Sequence, residues 1–99
     1  MSDAASDAPV IDNVDESRYE IRLDDGVALI DYNRGLNSIS FIHTEVPQQL
    51  EGKGLAGRLA KHALDTARRD HEQVIPICAY VASYIDRHPE YQDLLRKSE

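Results

Sequence analysis

Apolar and polar residues alternate from Arg18 to Leu23, with Tyr19, Ile21 and Leu23 on one side and Arg18, Glu20 and Arg22 on the other. Period two predicts a half-buried strand. Asp24-Asp25-Gly26 predicts a hairpin turn, because these residue types tolerate positive φ at its centre. Val27 to Tyr32 predicts the return strand, Asn33-Arg34-Gly35-Leu36-Asn37 a second turn, and Ser38 to Val46 a third strand. Alternation along that strand assigns Ile39, Phe41 and His43 to one face and Ile42, Thr44 and Val46 to the other. Pro47 has no N–H to donate, so regular pairing should lapse near Val46.

The period then changes. Ala56, Leu59, Ala60, Ala63 and Ala67 form a stripe widened by Leu55 and Leu64, with Arg58, Lys61, Asp65, Arg68 and Glu72 opposite. This predicts an amphipathic helix over about 52–70, whose alanines let it sit close on a sheet. Val74 to Cys78 predicts a buried fourth strand, parallel to the third through a strand-helix-strand unit. Pro76 removes one of its ladder bonds, so the two strands should diverge. Residues 79–88 predict a short helix, Pro89 a first helical position, and 90–95 a last turn or two.

The expected fold is therefore a mixed α/β domain: an antiparallel meander, a parallel strand-helix-strand unit and C-terminal helices. Val10-Ile11 and Val14 could add a short edge strand or merely be the end of the tail. Residues 1–9, rich in Ala, Ser and Asp, are expected to be a disordered acidic tail, and 10–99 the single domain.

Composition narrows the partners. Of the 99 residues 41% are hydrophobic and 29% charged, an ordinary globular balance. No apolar run is long enough to span a membrane. The one cysteine has no partner for an internal disulfide, which fits a cytoplasmic location. The net charge is −7, and five acids lie in residues 1–16, where no base stands. Residues 53–69 are basic by contrast, with Lys53, Arg58, Lys61, Arg68 and Arg69 against Asp65 alone. Such a balance suits a small polyanion better than nucleic acid. His62, His71 and His88 are scattered, so no metal site is expected.

The chemistry centres on Gln49-Leu50-Glu51-Gly52-Lys53-Gly54-Leu55-Ala56. Glycines allow a sharp bend and close approach of backbone N–H groups, and the following helix start offers unpaired donors to an anion. Lys53 and Arg58 add charge at the same end.

Gln49-x-x-Gly52-x-Gly54 resembles the (Arg/Gln)-x-x-Gly-x-(Gly/Ala) signature that seats the coenzyme A pyrophosphate in the GNAT superfamily of N-acetyltransferases. His43-Thr44-Glu45-Val46-Pro47, Ile75-Pro76-Ile77-Cys78 and Tyr84-Ile85-Asp86-Arg87-His88-Pro89-Glu90-Tyr91 extend the likeness to the short, single-domain GNAT-like family, over about residues 17–95. The resemblance implies acetyl-coenzyme A as co-substrate without a metal, and an amine or protein acceptor that the sequence does not identify. It implies a cofactor site of Thr44, Glu45, Val46, Gln49, Gly52, Lys53, Gly54, Leu55, Ala56, Cys78 and Tyr84, with the pantetheine arm between two splayed strands. It implies Cys78 as nucleophile or active-site thiol, His43 or Glu45 as base, and Tyr84 as the acid that protonates the departing thiolate, with Tyr80 competing for that role. His43 and Cys78 are expected to face one another. Alanine at 79 replaces the proline that often follows this cysteine in the family. A monomer or weak dimer is expected. Two alternatives stand beside an acetyltransferase: a non-catalytic coenzyme-A-binding module, and a redox-responsive thiol protein.

Overall fold

A computed structural model describes residues 8–95. Five strands form one sheet in chain order: β1 (Ile11–Asn13), β2 (Arg18–Leu23), β3 (Gly26–Gly35), β4 (Ser38–Glu45) and β5 (Gln73–Pro76). The first four pair antiparallel, and β5 joins β4 in parallel. Helix α1 (Leu55–Arg69) connects β4 to β5, α2 (Ala79–Arg87) follows, and a 3₁₀ segment spans Pro89–Leu94. The expected mixed α/β architecture is the observed one, and β1 is the short edge strand anticipated near Ile11. Of the expected tail, residues 1–7 lie outside the described residues, while Ala8 packs on the core and its carbonyl accepts a bond from Arg58.

Both hairpins are tighter than their sequences suggest. Leu23 pairs with Gly26, leaving Asp24-Asp25 as the turn. Gly26 is therefore the first strand residue, and proximity explains its identity: at φ 149° a Cβ there would stand 3.0 Å from Pro47 Cγ. Gly35 pairs with Ser38, so Asn33, Arg34 and Gly35 belong to β3 and the turn is Leu36-Asn37. Asn37 takes φ 58°, which asparagine tolerates. Helix α1 begins three residues later than the periodicity indicates, because Gly52 and Gly54 adopt φ 81° and 75°. At its far end His71 at φ 58° closes a Schellman motif, with Glu72 N–H on the Ala67 carbonyl and His71 N–H on that of Arg68.

The core lies between the sheet and the two helices. Tyr19, Ile21, Ile30, Ile39 and Phe41 from the strands meet Leu55, Leu59, Leu64, Val81 and Ile85 from the helices, all essentially buried. The opposite face of β2 departs from simple alternation. Glu20 is only 2% exposed, held by Arg18 at 2.5 Å, Arg22 at 2.7 Å and Asn13 at 3.1 Å. Burial opposes its charge, but those three hydrogen bonds outweigh burial and hold its carboxyl below the usual range.

One irregularity positions everything that follows. Tyr32 pairs with Phe41 and Asp31 with His43, so Ile42 is an extra residue, a β-bulge in β4. Paired residues share a face. Thr44, opposite Ile30, therefore joins the core face with Ile39 and Phe41, whereas His43 and Glu45 turn to the other side. The expected sharing of a face by Phe41 and His43 is thus corrected: one inserted residue reverses every side chain beyond it.

Candidate functional site

The bulge also opens the sheet. β5 accompanies β4 only from Ser38 to Phe41, ending at the Phe41–Pro76 pair. β4 runs on to Glu45, while β5 turns off through Ile77 into α2. The predicted divergence at Pro76 is present, and Ile42 contributes to it from the other strand. Cys78 N–H still donates to the Phe41 carbonyl at 2.8 Å, which pins the start of α2 to the point where the strands part. Cys78 is the residue before α2, and its carbonyl accepts from Ala82 N–H.

Cys78 Sγ lies 3.2 Å from Thr44 Oγ1, close enough for either atom to donate. The thiol is 9% exposed. Its partner is thus Thr44 and not His43, because the bulge carries His43 to the far face. His43 and Glu45 are both exposed there, sharing a face as expected but not the face of Cys78. Sequence reasoning could not find this exchange, since nothing at Ile42 signals an insertion.

Beside the opening lies a cleft of about 250 Å³, lined by Val46, Leu50, Glu51, Gly52, Gly54, Leu55, Ala56, Gly57 and Tyr80. Its floor is built locally. Gln48–Leu50 forms a 3₁₀ turn that drops Leu50 into the core, and Glu51 is extended. Gly52 and Gly54, both left-handed, deliver the chain into α1. Gly54 is the N-cap and its carbonyl accepts from Arg58 N–H, so the amides of the first helical turn point out without intrahelical partners. No atom lies within 4 Å of where a Cβ would stand on Gly52 or Gly54. That open space over a helix N-terminus suits a phosphate in both shape and charge.

The other expected residues divide. Val46, Gly52, Gly54, Leu55 and Ala56 line the cleft. Gln49 does not turn its amide to it: Nε2 donates to the Asp25 carbonyl at 2.6 Å and ties the β2–β3 turn to the segment before the glycines. Lys53 is exposed and lies outside the cleft lining. Arg58 reaches the Ala8 carbonyl instead and lines a second depression with Val10, Lys61, His62 and Asp65. Tyr84 is stacked on His88 with ring centroids 3.9 Å apart and packed near Tyr91. It does not line the cleft; Tyr80, one helical turn earlier, does, and its hydroxyl lies 3.7 Å from the Cβ position of Gly57. Burial raises the Tyr80 phenol above its usual range, against a smaller pull from Arg87. It therefore stays protonated at neutral pH. Gly57 completes the wall, and nothing but its place on the helix facing Tyr80 would have singled it out.

Among the described residues no group of three or more His, Cys, Asp or Glu is arranged to hold a metal ion. No helix among them is long and apolar enough to cross a membrane.

A parallel strand pair that splays beside a glycine-led helix N-terminus defines an acyltransferase-type domain of the GNAT fold. The solution NMR structure of a GCN5-like protein from Staphylococcus aureus superimposes with a TM-score of 0.73 at 25% identity, covering 95% of this chain and 93% of that one. The sequence profile of GCN5-related N-acetyl-transferases matches residues 18–94. Protein NATD1 of Homo sapiens is 36% identical over 83 residues, spanning 80% of this chain and 73% of its own length. That of Xenopus tropicalis is 32% identical over 83 residues, spanning 80% and 75%. This chain belongs to the GCN5-related N-acetyltransferase family.

Proposed function

We propose that the chain transfers the acetyl group of acetyl-coenzyme A to an amine. The observation that carries the reading is the Gly52–Gly57 cleft at the start of α1, whose lining includes Val46 and Tyr80, each two residues beyond the Thr44–Cys78 contact. The first-turn amides of α1 and the backbone at Gly52 and Gly54 receive the pyrophosphate. Val46, Leu50 and Tyr80 flank the pantetheine arm, which leads the thioester toward Cys78.

In direct transfer the amine nitrogen attacks the thioester carbonyl carbon. The N–C bond forms, the C–S bond breaks, and Tyr80 gives its proton to the departing thiolate. The proton lost by the amine goes to His43 or Glu45, which approach the opening from the far face of the sheet. In the covalent route the Cys78 sulfur, oriented by Thr44, attacks the thioester carbonyl, the C–S bond to coenzyme A breaks, and its thiolate leaves with the Cys78 proton. The amine then attacks the acetyl-cysteine carbonyl, the new C–S bond breaks, and the amine proton returns to Cys78. Tyr84 is the weaker candidate for the acid, since its ring is committed to His88 and Tyr91.

Titration with acetyl-coenzyme A, followed by free-thiol release with a panel of amines and lysine peptides, tests the reading. Binding through residues 52–57 with thiol release above the hydrolysis blank supports it. Mass spectrometry separates the routes: an acetyl adduct on Cys78, with near-complete loss of transfer in Cys78→Ala, marks the covalent one. One observation favours a coenzyme-A-binding module instead, namely that both expected bases stand across the sheet from Cys78. Tight binding with no transfer to any amine would select it.

A further inference from the structure

The chain that joins the sheet to the glycines is not held by the strand ladder. The register of β4 on β3 stops at Glu45 opposite Leu29, and Gly26, Val27 and Ala28 pair with β2 alone. The residues after β4 lie against this uncovered end of β3. A Cβ on Gly26 would stand 3.0 Å from Pro47 Cγ and 3.6 Å from Gln49 Nε2. Pro47 has no N–H with which to continue the ladder. Gln49 supplies a substitute from its side chain, Nε2 donating to the Asp25 carbonyl at 2.6 Å. Since a carbonyl only accepts, the NH₂ end of the carboxamide is the end that faces the hairpin. Val46 and Leu50 line the cleft, whereas Pro47, Gln48 and Gln49 between them do not. The β2–β3 turn therefore stands behind this part of the cleft wall, and Gln49 is the bond between the two.

We infer that Gln49 is a positioning residue for the cofactor phosphates: it sets the cradle through the Asp24-Asp25 turn and does not touch the ligand. The inference rests on the acetyltransfer reading and assigns how its site is held. Gly52 and Gly54 take φ 81° and 75°, with no neighbour within 4 Å of either Cβ position. No side chain packs there to fix the direction of their amides. That direction is inherited from α1 on one side and from the Gln48–Leu50 turn on the other. Leu50, 2% exposed, seats the turn in the core. The Gln49 bond stops the turn from rotating about that seat. Without it Leu50 stays buried and the domain stays folded, but the amides at 52–54 sample a wider range. Ordering them then becomes part of the cost of binding.

The test uses the full ¹⁵N-labelled chain, coenzyme A as the probe, and two perturbations that remove the bond from opposite sides. Gln49→Met keeps the side-chain length and removes the donor. A glycine inserted between Asp24 and Asp25, both exposed, displaces the acceptor at a site where insertions are tolerated. Each should weaken coenzyme A roughly fivefold, the scale of one net hydrogen bond. Together they should weaken it no more than either alone, because both break the same contact. In the parent, the Gln49 side-chain NH₂ signals should move less than the Gly52 and Gly54 amides as coenzyme A saturates. A folded Gln49→Met variant that binds as tightly as the parent overturns the positioning role. So does weakened binding in Gln49→Met beside parental affinity in the insertion variant, or a largest shift on the Gln49 side chain, since each marks direct contact with phosphate. Should the insertion unfold the hairpin, Gln49→Met and the side-chain signals still decide. A parent that shows no coenzyme A shifts at 52–57 sinks the acetyltransfer reading itself, and the positioning role with it.

Discussion

Gly54 offers the sharpest separation of backbone strain from ligand charge. It takes φ 75° and ψ 17° as the N-cap of α1, and no neighbour lies within 4 Å of its absent Cβ. A side chain there meets no steric obstacle but must adopt the left-handed region. For alanine that costs about 1–2 kcal/mol, offset by about 0.4–1 kcal/mol from a stiffer unfolded chain. Asn and Asp tolerate this region better, and both are good N-caps. Gly54→Asn and Gly54→Asp should therefore fold alike, within about 1 kcal/mol of the parent, or a melting shift of a few degrees. Their ligand behaviour should differ sharply. A carboxylate about 4 Å from a bound phosphate at an effective dielectric near 20 is repelled by about 4 kcal/mol per unit charge, roughly a thousandfold in Kd. Calorimetric titration with coenzyme A should find moderately weakened binding for the Asn variant and none measurable for the Asp variant. Equal affinities in two folded variants would refute the phosphate cradle, because only charge distinguishes them.

The two tyrosines of α2 give an independent check. Tyr80→Phe should lower the transfer rate with little change in coenzyme A affinity, while Tyr84→Phe should leave the rate near that of the parent; the reverse order would return the acid role to Tyr84. At Glu20 the sign of the pH dependence is fixed by geometry. A carboxyl held below its ordinary 4.5 by Arg18, Arg22 and Asn13 adds stability that is fully present above about pH 4.5. That stability is lost as pH falls through the lower folded-state value. Thermal melts from pH 7 to pH 3 should thus show a shallower acid decline for Glu20→Gln, which should cost about 1–2 kcal/mol at neutral pH; an unchanged decline would contradict the clamp. Gly26→Ala must fit a Cβ 3.0 Å from Pro47 Cγ at φ 149° and should destabilise by about 1–3 kcal/mol. A melting temperature equal to the parent's would show that Pro47 can simply withdraw.

Much of this domain is written in short-range pattern. Alternation at Tyr19, Ile21 and Leu23, the alanine stripe of α1 and the run ending at Cys78 identify the elements, because period two and period 3.6 each have one structural meaning. Gly52 and Gly54 mark the turn, since glycine takes those left-handed positions at least cost. What the tertiary structure decided lies where one strand's register depends on another. The bulge at Ile42 exists only in the pairing of β4 with β3, and no residue type there announces it. Because side chains alternate with period two, that single insertion moved His43 away from Cys78 and put Thr44 in its place. Which of Tyr80 and Tyr84 lines the cleft depends likewise on which turn of α2 meets Gly57. Glu20, polar in sequence, became buried only when Arg18, Arg22 and Asn13 were brought around it. Local sequence fixes periodicity and turn chemistry, but the Thr44–Cys78 contact joins a strand to the start of a helix, and its partners are chosen by register.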